Sequence, residues 1–237
     1  MAPNQYPDYP NRSLRFRLNL NSTPPEIGLP VEKILTRYDV TYYSLGPFGA
    51  ELFLYTEMKQ RVTQLIRDAI ESSMGVLTAD QYARIIEGGS LAEVPGAVHP
   101  KLREFERILF EFRDDFDDPL DGGLPRPIPM SWCTPKVTAL TQILFNRYTS
   151  TFQGIVFVEQ RHIATCLAAM LRRIPLLGHI IKCGQLVGHG TSTVAKSHLK
   201  GMAVRGQQDV VQMFRDRQLN IRTSIALGGI KTSLTLI

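Results

Sequence analysis

The feature that most constrains this chain is a change of pattern near residue 129. Before it, apolar residues recur at helical spacing. After it, short β-branched runs alternate with helical stripes. The change falls within residues 114–129 (DDFDDPLDGGLPRPIP), an acidic stretch rich in Pro and Gly. A three-to-four-residue stripe buries one face of a helix, whereas a short continuous apolar run suits a buried strand. A chain that switches between them at a Pro/Gly-rich segment is expected to form two units of different class.

Charge divides at the same place. Residues 1–128 hold 14 Lys/Arg against 19 Asp/Glu, a net of −5. Residues 129–237 hold 13 Lys/Arg and only three carboxylates, Glu159, Asp209 and Asp216, a net of +10. Together they make the +5 of the 237-residue chain. The second half therefore predicts a polyanionic partner, nucleic acid before any other. With 43% hydrophobic and 21% charged residues, wholesale disorder and collagen-like repeats are excluded. No apolar run approaches the roughly 18 residues of a membrane span, so no membrane partner is expected. The first twenty residues are polar and lack the apolar core of a secretory signal. Cys133, Cys166 and Cys183 form no C-x-x-C pair, which argues against a disulfide framework and a structural zinc site. The reading is an intracellular, reducing location, cytoplasmic or nuclear.

Residues 1–30 carry Pro3, Pro7, Pro10, Pro24, Pro25 and Pro30 with little periodicity, and are expected to be a loose N-terminal segment. Residues 31–116 read as a small helical bundle. Tyr55, Met58, Val62, Leu65, Ile66, Ala69 and Ile70 mark one helix, with Gly75 beyond its end. Thr78 and Gln81 have capping-box spacing for a short helix reaching Glu87. Leu102, Phe105, Ile108, Leu109 and Phe112 mark a third stripe. These stripes are packing surfaces before they are ligand sites. Residues 117–129 form the hinge. The carboxylates Asp114, Asp115, Asp117, Asp118 and Asp121 read as a solvated linker in preference to a cation site.

Beyond the hinge, Thr134 and Pro135 are an N-cap with Pro at the first helical position. Val137, Leu140, Ile143 and Leu144 continue that helix. Residues 154–158 (GIVFV) suit a strand buried on both faces of a parallel sheet. A helix through Ile163, Leu167, Met170 and Leu171, a strand over 180–187, a helix through Val210, Val211 and Phe214, and a strand over 219–226 complete an α-β-α-β-α-β order. That order implies a parallel sheet with crossover helices, an α/β unit.

Single motifs are weak. Residues 190–197 (GTSTVAKS) approach the phosphate loop G-x-x-x-x-G-K-[ST], but Ala195 replaces a glycine whose backbone conformation a Cβ disfavours. A basic loop carrying Lys196, His198, Lys200 and Arg205 is the better reading. His99, His162, His179, His189 and His198 form no H-E-x-x-H and no defensible hydrolase constellation with a Ser or Cys, so no catalytic residue and no metal ligand is assigned.

The order of segments says more. Residues 155–161, 186–190, 201–208, 211–215 and 219–226 follow one another as in the second RecA-like domain of superfamily-two helicases. Within those the chain resembles the Dicer-like ribonucleases of filamentous fungi, over roughly residues 35–226. Residues 155–161 resemble motif IV and residues 219–226 the start of motif V. The helical unit, with its YSLGPF at 43–48, resembles the helical insert of Dicer-like and viral-RNA-sensing helicases. The resemblance implies an incomplete RecA-like sheet over 130–237 preceded by the insert bundle. It implies an ATP-dependent RNA helicase region that engages double-stranded RNA in RNA silencing, alongside other RNA-silencing proteins. Nucleic acid would meet Arg161, Gly188, His189, Gly190, Lys196, Lys200, Arg205, Gln207, Thr223 and Ser224. ATP and magnesium serve the intact family member. Of that site only Gly229 matches here, since residues 227–231 lack the motif V carboxylates. Without the first motor domain, motif VI and the RNase domains, this stretch is expected not to be catalytically competent alone. The competing reading is a non-catalytic RNA-binding or protein-interaction module.

Overall fold

The computed structural model describes residues 13–72, 98–118, 125–186, 204–225 and 235–236. Eight α-helices and four strands lie among them: α1 Leu14–Leu18, α2 Val31–Leu45, α3 Pro47–Ser72, α4 Pro100–Glu111, α5 Arg113–Phe116, α6 Pro135–Arg147, β1 Gly154–Val158, α7 Arg161–Arg173, β2 Cys183–Leu186, α8 Val204–Arg215, β3 Ile221–Ile225 and β4 Thr235–Leu236. The described chain is mostly helical with few strands. The short helix expected over 78–87 lies outside the described residues.

Helix α3 is the axis of the helical unit. Its first nine residues, Pro47 to Tyr55, are all buried, and it packs on α1, α2, α4 and α7. Further along only one face stays buried, through Met58, Val62, Ile66 and Ile70. Helix α4 begins at Pro100, where the fixed φ of proline suits a first helical position, and buries Leu102, Phe105, Ile108 and Leu109. The expected stripes are therefore packing surfaces.

The N-terminal segment departs from expectation. From Ser13 onward it is part of the core, not a loose arm. Leu14 and Leu18 are fully buried, and Leu20 and Ile27 follow them inward. A polar anchor explains why prolines nearby do not keep it loose. The buried Glu51 carboxylate accepts from the Ser13 hydroxyl at 2.7 Å, the Leu14 amide at 2.8 Å, the Arg15 amide at 3.3 Å and the Tyr38 hydroxyl at 3.0 Å. It satisfies amides that the first turn of α1 leaves unpaired.

The sheet has the order β2-β3-β1-β4. β1, β3 and β2 run parallel, with Val156 facing Thr223 and Thr223 facing Gln185. β4 pairs antiparallel on the outer edge of β1. Helix α7 crosses from β1 to β2 and covers β1, β2 and β3, while α8 packs on β2. β1 alternates between buried and half-buried residues, so it is not buried on both faces as its composition suggested. Gly154, Val156 and Val158 point into the core, and Ile155 and Phe157 stay partly open. The strand expected over 180–187 is shorter. Residues 177–181 turn instead, with the amides of Leu177 and Gly178 both donating to the Ile174 carbonyl.

One hydrophobic core runs from Leu14 to Ile221 and joins the helices to the sheet. The acidic segment is part of this joint. Asp115 pairs with Arg126, Asp117 with Lys59 at 2.6 Å, and Asp118 with Arg172 and Arg173. The guanidinium of Arg173 is buried and also donates to the carbonyls of Asp115 and Phe116. Asp114 pairs with Arg113, so each of the four described carboxylates is ion-paired, and Asp114 stays open to solvent; Asp121 lies outside the described residues.

Candidate nucleic-acid interface

In an open α/β sheet the ligand crevice lies beyond the carboxyl ends of the strands. At that end of β1 a cavity of about 250 Å³ opens between α2, α6 and the start of α7. Tyr43, Lys136, Phe157, Glu159 and Gln160 are among its walls.

Local sequence places each wall. α2 ends because Gly46 adopts φ 96°, a left-handed conformation that residues with a Cβ resist. A Cβ there would also lie 2.6 Å from the Trp132 carbonyl oxygen, so the chains meet closely at this point. Thr134 caps α6, its hydroxyl accepting from the Val137 amide at 3.4 Å. The same hydroxyl donates to the Ser44 carbonyl at 3.0 Å, and the Thr134 amide donates to the Leu45 carbonyl at 3.2 Å. The end of α2 and the start of α6 are therefore fastened to one another, which fixes Tyr43 and Lys136 across the opening. β1 then delivers Phe157 to Gln160 as the floor. Tyr43 keeps 58% of its surface exposed, although its ring meets Tyr42 edge-on at 6.0 Å.

The residues expected to meet nucleic acid are distributed as follows. Arg161 is half-buried at the first position of α7, next to the cavity residue Gln160. Thr223 is a correction: it lies in the middle of β3, fully buried, and its hydroxyl donates to the Ala164 carbonyl at 3.1 Å. Its hydroxyl is committed to the core and offers a phosphate nothing. Ser224 is in β3, opposite Phe157 and Leu186. Arg205 and Gln207 are in α8. Gly188, His189, Gly190, Lys196, Lys200 and Gly229 lie outside the described residues, as does the stretch 190–197. Sequence reasoning missed Tyr43 and Lys136 as site residues. The signals were present in the YSLGPF stretch and the Thr134–Pro135 cap, but neither says what it faces.

Nucleophilic chemistry finds little here. Burial pushes the thiols of Cys133, Cys166 and Cys183 up to about 12, so none is a thiolate at neutral pH. His162 is buried at the α3–α7 contact, its ring 5.1 Å from Phe53. His99 spends its Nδ1 accepting the Lys101 amide at the start of α4.

No protein-family model matches the chain. Curated proteins do. Dicer-like protein 2 of Emericella nidulans is 30% identical over 215 residues, 87% of this chain and 14% of that protein. The chain is similar to fungal Dicer-like proteins. Dicer-like protein 2-2 of Aspergillus niger is 30% identical over 89 residues, 37% of this chain and 6% of the relative. Dicer-like protein 2 of Aspergillus terreus is 31% identical over 103 residues, 42% and 8% of the two lengths. The chain thus spans a small part of each Dicer-like protein it matches. Among solved structures, the Pyrococcus furiosus Hef helicase domain aligns with 92% of this chain and 36% of its own, at 13% identity and a TM-score of 0.32. Among the described residues no helix is long and apolar enough to cross a membrane.

Proposed function

We propose that this chain belongs to the ATP-dependent RNA helicase region of a Dicer-like protein. It combines a helical insert (31–116), an acidic connection (117–129) and the second RecA-like motor domain (130–237), and it engages double-stranded RNA in RNA silencing. The observation that carries this reading is the 30% identity to Dicer-like protein 2 of Emericella nidulans over 87% of the chain, which takes in both units. The parallel β2-β3-β1 core, the crevice at the carboxyl end of β1 and the +10 charge of the second half support it. Arg161, Lys196, Lys200 and Arg205 attract the phosphate backbone without reading bases, the usual division of labour in sequence-indifferent binding.

Magnesium–ATP is the cofactor of the reading's intact helicase. Among the described residues no three His, Cys, Asp or Glu side chains group so as to hold a metal ion by themselves. In this reading the 237-residue chain alone releases no phosphate from ATP with or without RNA, which a phosphate-release assay checks.

The test is a gel shift with a short RNA duplex. Because counterions are released as phosphates are neutralised, affinity should fall on the order of ten-fold or more between 50 and 200 mM salt. Charge reversal at Lys196, Lys200 and Arg205 together should abolish the shift. Absence of any complex at 50 mM salt overturns the reading.

A further inference from the structure

We propose that the cavity between α2, α6 and the carboxyl end of β1 receives one unpaired nucleobase of a bound RNA, with its ring on Tyr43 and its phosphate on Lys136. This deepens the RNA reading above and rests on it.

Three features of the sequence converge on this cavity from distant places. The YSLGPF stretch supplies Tyr43, the Thr134–Pro135 cap is followed by Lys136, and the segment after β1 supplies Glu159 and Gln160. The cavity is also preformed. Two hydrogen bonds from Thr134 to the end of α2 hold its opposite walls at a fixed separation. A ligand therefore meets no ordering cost in those walls.

The lining matches a nucleotide. A large aromatic ring that remains 58% exposed in a cavity wall is a stacking platform, since every base has a π-face. Phe157, Val158 and Ile163 add apolar floor beneath it. Lys136 is exposed at the first turn of α6 and supplies a point charge for phosphate. The Gln160 amide both donates and accepts, as the edges of bases do. Size selects a single unit. About 250 Å³ falls below the roughly 300–1,000 Å³ of drug-sized ligand pockets, so the cavity takes one ring and not a base pair. Lys136 and Glu159 are the charged residues of the lining, one of each sign, so the ring of Tyr43 and the Gln160 amide, not net charge, are what select a base.

The experiment uses the full 237-residue chain with two labelled RNA duplexes, one blunt and one with a two-nucleotide unpaired end, the latter also carrying 2-aminopurine in the unpaired position. Wild type should bind the unpaired end more tightly and quench the 2-aminopurine by stacking. Tyr43→Ala should lower affinity for the unpaired-end RNA about ten-fold, leave blunt-duplex affinity unchanged and relieve the quench. Tyr43→Phe should retain both signals. Circular dichroism checks that the variants fold. If RNA binds but Tyr43→Ala changes neither affinity nor fluorescence, the cavity assignment is overturned while the RNA reading stands. If an aromatic tripeptide restores the fluorescence with RNA still bound, the cavity belongs to a protein partner and the assignment is again overturned. If neither RNA binds, both readings fall.

Discussion

Thr223 lies two residues before the end of β3, and that small displacement changes its chemistry. A Thr at the strand terminus would offer its hydroxyl to a phosphate. In the strand's interior the hydroxyl is buried and must find a partner, which it does in the Ala164 carbonyl. Thr223→Val should therefore cost about 1 kcal/mol of stability and leave RNA affinity unchanged, as urea unfolding and a gel shift would show. His162 presents the opposite case, a polar atom without a partner among the described residues. Its Nε2 is buried and unpaired, and burial, reinforced by the Arg37 charge, lowers the imidazole from an ordinary 6.5 to about 4. The unfolded chain then takes up the proton before the folded one as pH falls. The contribution of His162 is complete above pH 6.5 and is lost between pH 6.5 and 4. Unfolding free energy should drop by about 2 kcal/mol between pH 7 and pH 5, and His162→Gln should remove most of that slope.

At the scale of elements, the junction of α2 with α6 is held by geometry that tolerates little. Gly46→Ala meets both a positive φ and the Trp132 carbonyl, so it should destabilise the chain by about 2 kcal/mol or more, read as a lowered melting temperature. The same variant should widen the cavity and weaken the Tyr43-dependent RNA signal. Much of each individual element was legible in the sequence. β1, α6 and α7 have local causes: a β-branched run, a Thr–Pro cap and a stripe at helical spacing. The parallel pairing of β1, β3 and β2 was legible for the same reason, because the alternation of these elements already implies it. What was not legible is assembled across distance. The hydrogen bond from Thr134 to Ser44 spans 90 positions of the chain, and no periodicity near either residue announces it. Residues 13–27 were misjudged for a related reason. Prolines mark where a chain breaks regular structure, but Glu51, more than thirty positions away, decides whether the broken piece is anchored.

For the molecule as a whole, residues 115–118 at the start of the acidic segment tie the helices to the sheet unit. The Asp118 carboxylate and the carbonyls of Asp115 and Phe116 converge on Arg173, a cation placed at the end of α7 and almost completely buried. Arg173→Met would keep the apolar stem but strand the carbonyls of Asp115 and Phe116, while Asp118 keeps Arg172. It should cost about 3 kcal/mol, measurable by thermal or urea unfolding. The helices and the sheet are the parts that sequence pattern distinguishes most sharply, yet their side chains interleave in one interior from Leu14 to Ile221. Energetic independence does not follow from distinct composition. An interior shared in this way gives neither part a separate melting point, so heat should carry both through a single cooperative transition, and a ligand that grips the sheet should delay the melting of α1 at the far end of the chain.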